Sequence, residues 1–112
     1  MVNQGDIFFV DFNPSRGHEQ KNRRPAIALS NDLVAKTSNM TIVAPISSTK
    51  RSFPMYHRLK TTNNVRGQVL LDQTKSLDLN ARGISKKDVI EKIDKSELQD
   101  IINLYKLLFD ID

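Results

Sequence analysis

Ten consecutive residues, Ser15-Arg16-Gly17-His18-Glu19-Gln20-Lys21-Asn22-Arg23-Arg24, gather an imidazole, a carboxylate, an ammonium and three guanidinium groups between two apolar runs. A β-hairpin turns in two to five residues, so a loop about twice that length and loaded with titratable groups reads as functional. The chemistry available is acid–base work on a charged substrate. An imidazole titrates near neutrality. Arginine grips two phosphate oxygens at once with a charge that it cannot lose at working pH. A solvated loop whose charges serve only solubility is the plainer alternative.

Other chemistries find less support. His18 and His57 are far apart, with no HxxxH or HExxH pattern to join them, and Asp6, Asp11, Glu19, Asp32 and Asp72 are scattered singly. Neither a zinc site nor a two-metal nuclease centre is legible in that pattern, so no metal or cofactor is expected. Cysteine is absent, which excludes disulfides, thiolate ligands and thiol nucleophiles. The four glycines are isolated, and no Gly-x-Ser-x-Gly elbow occurs.

Lys and Arg number 17 against 13 Asp and Glu. The excess is uneven: residues 96–112 hold one base and four acids, residues 1–95 hold 16 bases and nine acids. A basic surface ahead of the last segment suits a polyanion partner, although ordinary solubility explains a net +4 as well. A chain of 112 residues, 38% of them hydrophobic, fits one domain spanning 1–112. There is no run of about 18 apolar residues and no secretory pattern at the start, so a cytoplasmic protein without a membrane span is expected.

The elements that must position the polar segment are short and mostly β. Ile7–Phe12 reads as a first strand, closed by Asn13-Pro14-Ser15. Pro25–Ser30 is a second, apolar enough for burial on both faces, with Asn31 or Asp32 placed to cap a helical turn after it. Thr41–Ile46 is a third, with Pro45 near its end because proline has no amide to donate. Met55–Lys60 reads as a charged edge strand, Gly67–Gln73 as a fifth, and Val89–Ile93 as a sixth. The period then changes. Leu98, Ile101, Ile102, Tyr105, Leu108 and Phe109 line one face of a closing helix, and Ser96 with Gln99 predicts a capping box at its start. Five or six strands with a C-terminal helix predict a small SH3-like β-barrel.

Gly5-Asp6-Ile7-Phe8-Phe9-Val10-Asp11-Phe12-Asn13-Pro14, Gly17-His18-Glu19-Gln20, Arg24-Pro25-Ala26-Ile27 and Leu29-Ser30 resemble the opening of MazF/PemK toxins. The likeness continues through Val43-Ala44-Pro45-Ile46-Ser47-Ser48, Asp72-Gln73-Thr74-Lys75-Ser76-Leu77 and Ala81-Arg82-Gly83. Common dipeptides make up each block, but blocks in order at the family's spacing make the signal specific. The resemblance implies a toxin of a type II toxin–antitoxin system that cuts single-stranded RNA. It further implies a homodimer and a small acidic antitoxin as partners.

Cutting RNA without a metal requires a base for the 2′-hydroxyl, cations for the phosphorane and an acid for the leaving 5′-oxygen. The resemblance sets the catalytic arginine at Arg24. Ser47 stands where relatives usually carry threonine; it keeps the hydroxyl donor and loses the methyl that restricts rotation. Ser48 takes the role if the register is shifted by one residue. Glu19 and His18 match catalytic positions equally well as base or acid, and Asp72 matches a position proposed as the base in some relatives. Gln20 and Gln73 are candidates for a base edge, and Lys21, Arg23, Lys50, Arg51, Arg58 and Lys75 for phosphates. Phe53, Tyr56 and His57 are candidates to stack a splayed base. Two rival readings remain: a non-enzymatic toxin of the same architecture, like the gyrase-poisoning CcdB proteins, and a small nucleic-acid-binding barrel without chemistry.

Overall fold

A computed structural model describes residues 1–12, 17–18 and 23–112. Among these the strands are β1 (Asp6–Asp11), β2 (Arg23–Ala28), β3 (Thr41–Ser47), β4 (Tyr56–Arg58), β5 (Gln68–Leu70), β6 (Lys75–Leu77) and β7 (Val89–Lys92). Two helices, α1 (Asp32–Ser38) and α2 (Lys95–Lys106), and 3-10 turns at Leu71–Gln73, Lys86–Asp88 and Leu107–Phe109 complete the order. The strands pair antiparallel in the order β4-β5-β3-β2-β1-β7, and β6 joins β3. The long β3 divides its pairing. Thr41–Val43 meet β6, Ile46–Ser47 meet β5, and the other edge of the strand meets β2 from Ala26↔Pro45 to Ala28↔Val43.

Alternation along the strands sends successive side chains to opposite faces, and both faces here are covered. One face joins Ile7, Ile27, Ala44, Ile46, Val69 and Leu71 to Ile101 of α2, with Leu98, Ile102 and Tyr105 packed against it. The other joins Phe8, Val10, Ala26, Ala28 and Val43 to Leu77 and Leu79. Hence Ala26, Ile27 and Ala28 are all fully buried, as the unbroken apolar run of the second strand leads one to expect.

The expected barrel takes the form of a sheet with β4 and β7 at its ends, and no described strand pair joins them. Side chains bridge the gap instead. Glu91 of β7 accepts the backbone N–H groups of Asn63, Asn64 and Val65, in the loop between β4 and β5. Glu97 of α2 accepts those of Lys60 and Thr61 in the same loop. Asp6 of β1 gathers a different set of partners. Fully buried, its carboxylate accepts from Asn3 N–H at 2.8 Å and from Lys86 Nζ at 2.7 Å, with Lys92 Nζ 3.6 Å from its other oxygen.

Several boundaries differ from the sequence reading for local reasons. β6 is not among the strands that the sequence predicts; its three residues carry no alternation long enough to see. Leu71–Gln73 leaves the fifth strand as a 3-10 turn, so Asp72 and Gln73 do not end a strand. Asn31 caps α1 through its side chain, receiving Val34 N–H. The capping box expected from Ser96 and Gln99 is not formed. Helix α2 begins two residues earlier, after Asp94; the Ser96 hydroxyl bonds the Asp94 carboxylate, and Gln99 bonds Asn103. The helix ends at Lys106, which leaves Leu108 and Phe109 in the 3-10 turn, exposed rather than on the buried face.

Candidate active site

Strands β2 and β3 carry the arginine and the hydroxyl. Their last registered pair toward this end is Ala26↔Pro45; continuing that register by two residues sets Arg24 opposite Ser47. Residues directly opposite in an antiparallel ladder share a face. Arg24 is half-buried and Ser47 is buried, at 7% exposure. The Ser47 Oγ accepts the N–H of Thr49 at 3.2 Å. Across the next ladder Ser47 faces Gln68, whose amide nitrogen donates to Thr49 O at 3.0 Å and Arg51 O at 2.6 Å. Gly67 allows this closeness. Its φ is +130°, and a Cβ there would stand 2.3 Å from the Ser47 carbonyl oxygen. Ser48, just past the strand, is exposed.

The segment held by Gln68 forms one side of a cleft of about 340 Å³, lined by His18, Thr49, Arg51, Phe53, Tyr56, Asp72 and Gln73. Three candidates from distant parts of the chain therefore share one space: His18 from the polar loop, Asp72 and Gln73 from the 3-10 turn. Phe53 and Tyr56 meet edge to face with centroids 5.1 Å apart, and the Arg51 guanidinium lies 4.7 Å from the Phe53 ring centre. Thr49 belongs to this lining and is bonded to Ser47, which ties the cleft to the Arg24–Ser47 end of the sheet. An imidazole, a carboxylate, a cation and two aromatic faces around one cavity can exchange a proton, hold an anion and stack a base.

Other candidates fall elsewhere. Arg23 and Arg24 are neighbours in a strand and so point to opposite faces. The Arg23 guanidinium lies 5.0 Å from the Phe9 ring centre, in a second and larger cleft of about 460 Å³. That cleft includes Asp11, Arg82 and Asp88 and, among the described residues, lacks an imidazole, so it is less suited to acid–base work. Lys75 is half-buried in β6; Lys50 and Arg58 are exposed. Glu19, Gln20 and Lys21 lie outside the described residues. Among the described residues, no three His, Asp or Glu side chains converge as a metal ion requires.

His57 is not the stacking residue that the sequence suggested. Its side chain is 10% exposed, and Nε2 lies 2.7 Å from Glu97 Oε2. Burial raises the Glu97 pKa, but the Thr61 hydroxyl, His57 and the N–H groups of Thr61 and Lys60 outweigh it, holding the carboxyl at about 2. Glu97 escaped the sequence reading because a glutamate in the first turn of an amphipathic helix looks like a solvated charge. Only the four partners around it reveal its burial.

The family model of PemK-like, MazF-like toxins of type II toxin–antitoxin systems matches residues 3–109. The chain is 33% identical over 86 residues to the endoribonuclease toxin MazF of Escherichia coli K12, an alignment covering 77% of each protein. The crystal structure of MazF from Deinococcus radiodurans superposes with a TM-score of 0.83 at 25% identity, over 98% of this chain and 97% of that one. A MazE–MazF structure from the same organism superposes with a TM-score of 0.74 at 25% identity, over 96% and 95%.

Proposed function

Since this chain belongs to the PemK-like, MazF-like toxins of type II toxin–antitoxin systems, we propose that it cuts single-stranded mRNA by attack of the RNA's own 2′-hydroxyl. The reading rests on one relationship: the β2–β3 register that, continued, sets a fixed cation at Arg24 opposite the Ser47 hydroxyl. Beside that pair, His18 and Asp72 share a cleft.

In this mechanism the scissile phosphate lies against Arg24, whose fork takes two non-bridging oxygens, while Ser47 donates a third hydrogen bond. A base removes the 2′-proton, the 2′-oxygen bonds to phosphorus, and the bond to the 5′-oxygen breaks as an acid protonates it. The products are a 2′,3′-cyclic phosphate and a 5′-hydroxyl. Charge accumulates on the phosphorane oxygens, where Arg24 and Ser47 act more strongly than on the ground state. His18, Glu19 and Asp72 are the candidates for base and acid. Gln73 and Gln20 serve base edges, Lys21 and Arg51 the flanking phosphates, and Phe53 and Tyr56 the splayed bases.

The family's place in toxin–antitoxin systems extends the reading to a small acidic antitoxin and to a homodimer working in the cytoplasm, with RNA in a groove across the subunit interface. The exposed Leu107, Leu108, Phe109 and Ile111 suit such an interface. Incubation of the protein with a long RNA in excess EDTA, followed by mapping of the ends, tests the function. Discrete cuts with cyclic phosphate and 5′-hydroxyl ends are expected. Intact RNA that remains bound would support a binding protein, and intact, unbound RNA a toxin aimed at a protein target.

A further inference from the structure

No residue among those lining the candidate cleft belongs to α2, yet this helix is bonded to residues adjoining both of its walls. On one side, Tyr105 OH and Thr74 Oγ1 lie 3.0 Å apart, and Thr74 directly follows the turn that carries Asp72 and Gln73. On the other, Glu97 holds His57, the strand neighbour of Tyr56, together with Lys60 and Thr61 in the loop beyond it. A backbone bond from Leu71 N–H to Met55 O joins the same two walls directly. Helix α2 thus adds a separate side-chain attachment to each.

The helix is suited to act as a strut. Ile101, between the two attachments, is fully buried, and Leu98 and Ile102 pack against the same core. Glu97 and Tyr105 are eight residues apart, about 12 Å along a helix. A backbone fixed at that length by its own hydrogen bonds cannot stretch to follow one wall without moving the other. The hydroxyl of Tyr105 adds little to the core, because the ring itself does the packing, with Phe109 edge-on at 5.4 Å.

We propose that Tyr105 is a positioning residue of the RNA-cutting site. Through Thr74 it sets the adjacent Gln73, the residue for a base edge, against the Tyr56 wall, which the same helix holds through Glu97 and His57. This rests on the ribonuclease reading above. Tyr105 touches no RNA; it acts by restricting the turn that does.

The test is a double-mutant cycle on Tyr105→Phe and Thr74→Val, each of which removes a hydroxyl and little volume. Steady-state cleavage of a short single-stranded oligoribonucleotide is expected to show KM raised about fivefold by either change, the loss of roughly one neutral hydrogen bond, with kcat altered less than about twofold. The double variant should be no worse than either single one, because both remove the same contact. Thr74→Ser, which restores the hydroxyl, should recover the wild-type KM. Amide hydrogen exchange at residues 72–74, measured without RNA, should quicken in both single variants. Multiplicative effects in the double variant, or an unchanged KM with unchanged exchange, would overturn the proposal. If the wild-type protein cuts no RNA, the ribonuclease reading fails by itself. Exchange then decides the strut: quicker exchange upholds the coupling, and unchanged exchange removes it.

Discussion

His57 Nε2 and Glu97 Oε2 stand 2.7 Å apart, 40 residues apart in sequence, where the edge strand β4 meets the last helix. The Glu97 carboxyl is held at about 2 against an ordinary 4.5 because its hydrogen bonds outweigh the cost of burial. A carboxylate with a depressed pKa contributes stability above its unfolded pKa and loses it as pH falls through its folded pKa. The stabilisation is therefore complete above about 4.5 and lost toward 2. The difference corresponds to roughly 3 kcal/mol. Glu97→Gln should lower the unfolding free energy by about that much at pH 7. The gap from wild type should narrow as pH falls through the window. Urea unfolding across pH 7 to 2 measures it, and a gap independent of pH would sink the account.

Arg24→Ala should reduce RNA cutting by at least about 10²-fold while the circular dichroism spectrum and melting temperature stay near wild type. Arg24 is half-buried at the end of β2 and belongs to neither hydrophobic cluster. Arg24→Lys should fail almost as badly, because an ammonium keeps the charge but not the two-pronged grip. A lysine variant with full activity would mean that charge alone suffices.

A substrate carrying a single 2′-deoxynucleotide immediately 5′ of the scissile phosphate should resist cutting at that position and remain sensitive elsewhere. In the proposed mechanism the modification removes the attacking oxygen and leaves the phosphate contacts of Arg24 and Ser47 in place. Cleavage at the modified position, detected by end mapping, would show that water is the nucleophile.

Gly67→Ala should damage both stability and cutting. The new Cβ would lie 2.3 Å from the Ser47 carbonyl oxygen, a backbone atom that cannot swing aside, at a φ of +130° that side chains rarely adopt. Relief requires β3 and β5 to separate at Ser47↔Gln68. A loss of about 2–4 kcal/mol is expected from such strain. Activity should fall further than the folded fraction does, as Ser47 moves from its place. Thermal melts and assays on the remaining folded protein separate the two effects.

The sequence made some of this visible and hid the rest, for physical reasons. Long apolar runs announced β1, β2 and β3, and the 3.6-residue period announced α2, because burial of a face writes a pattern many residues long. Three-residue strands such as β6 write none. Arg24 and Ser47 could be named as candidates because both stand at the ends of strands, and the β2–β3 register beside them needs continuing by two residues to set them opposite. Asp72 and Gln73 could be named from their resemblance but not assigned to a 3-10 turn. Glu97 and Glu91 were invisible: a carboxylate that accepts backbone N–H groups from a distant loop has the same local sequence as one in solvent. The opposed directions of Arg23 and Arg24 follow from strand alternation, but only once β2 is known to begin at Arg23.

Because α2 follows every described strand, the attachments it makes form only after those strands have been synthesised. Before residues 95–106 leave the ribosome, the loop after β4 lacks the Glu97 carboxylate and Thr74 lacks its hydroxyl partner. A chain cut short before α2 would therefore carry Arg24, Ser47 and Asp72 with the loop after β4 and the turn before Thr74 both unbraced.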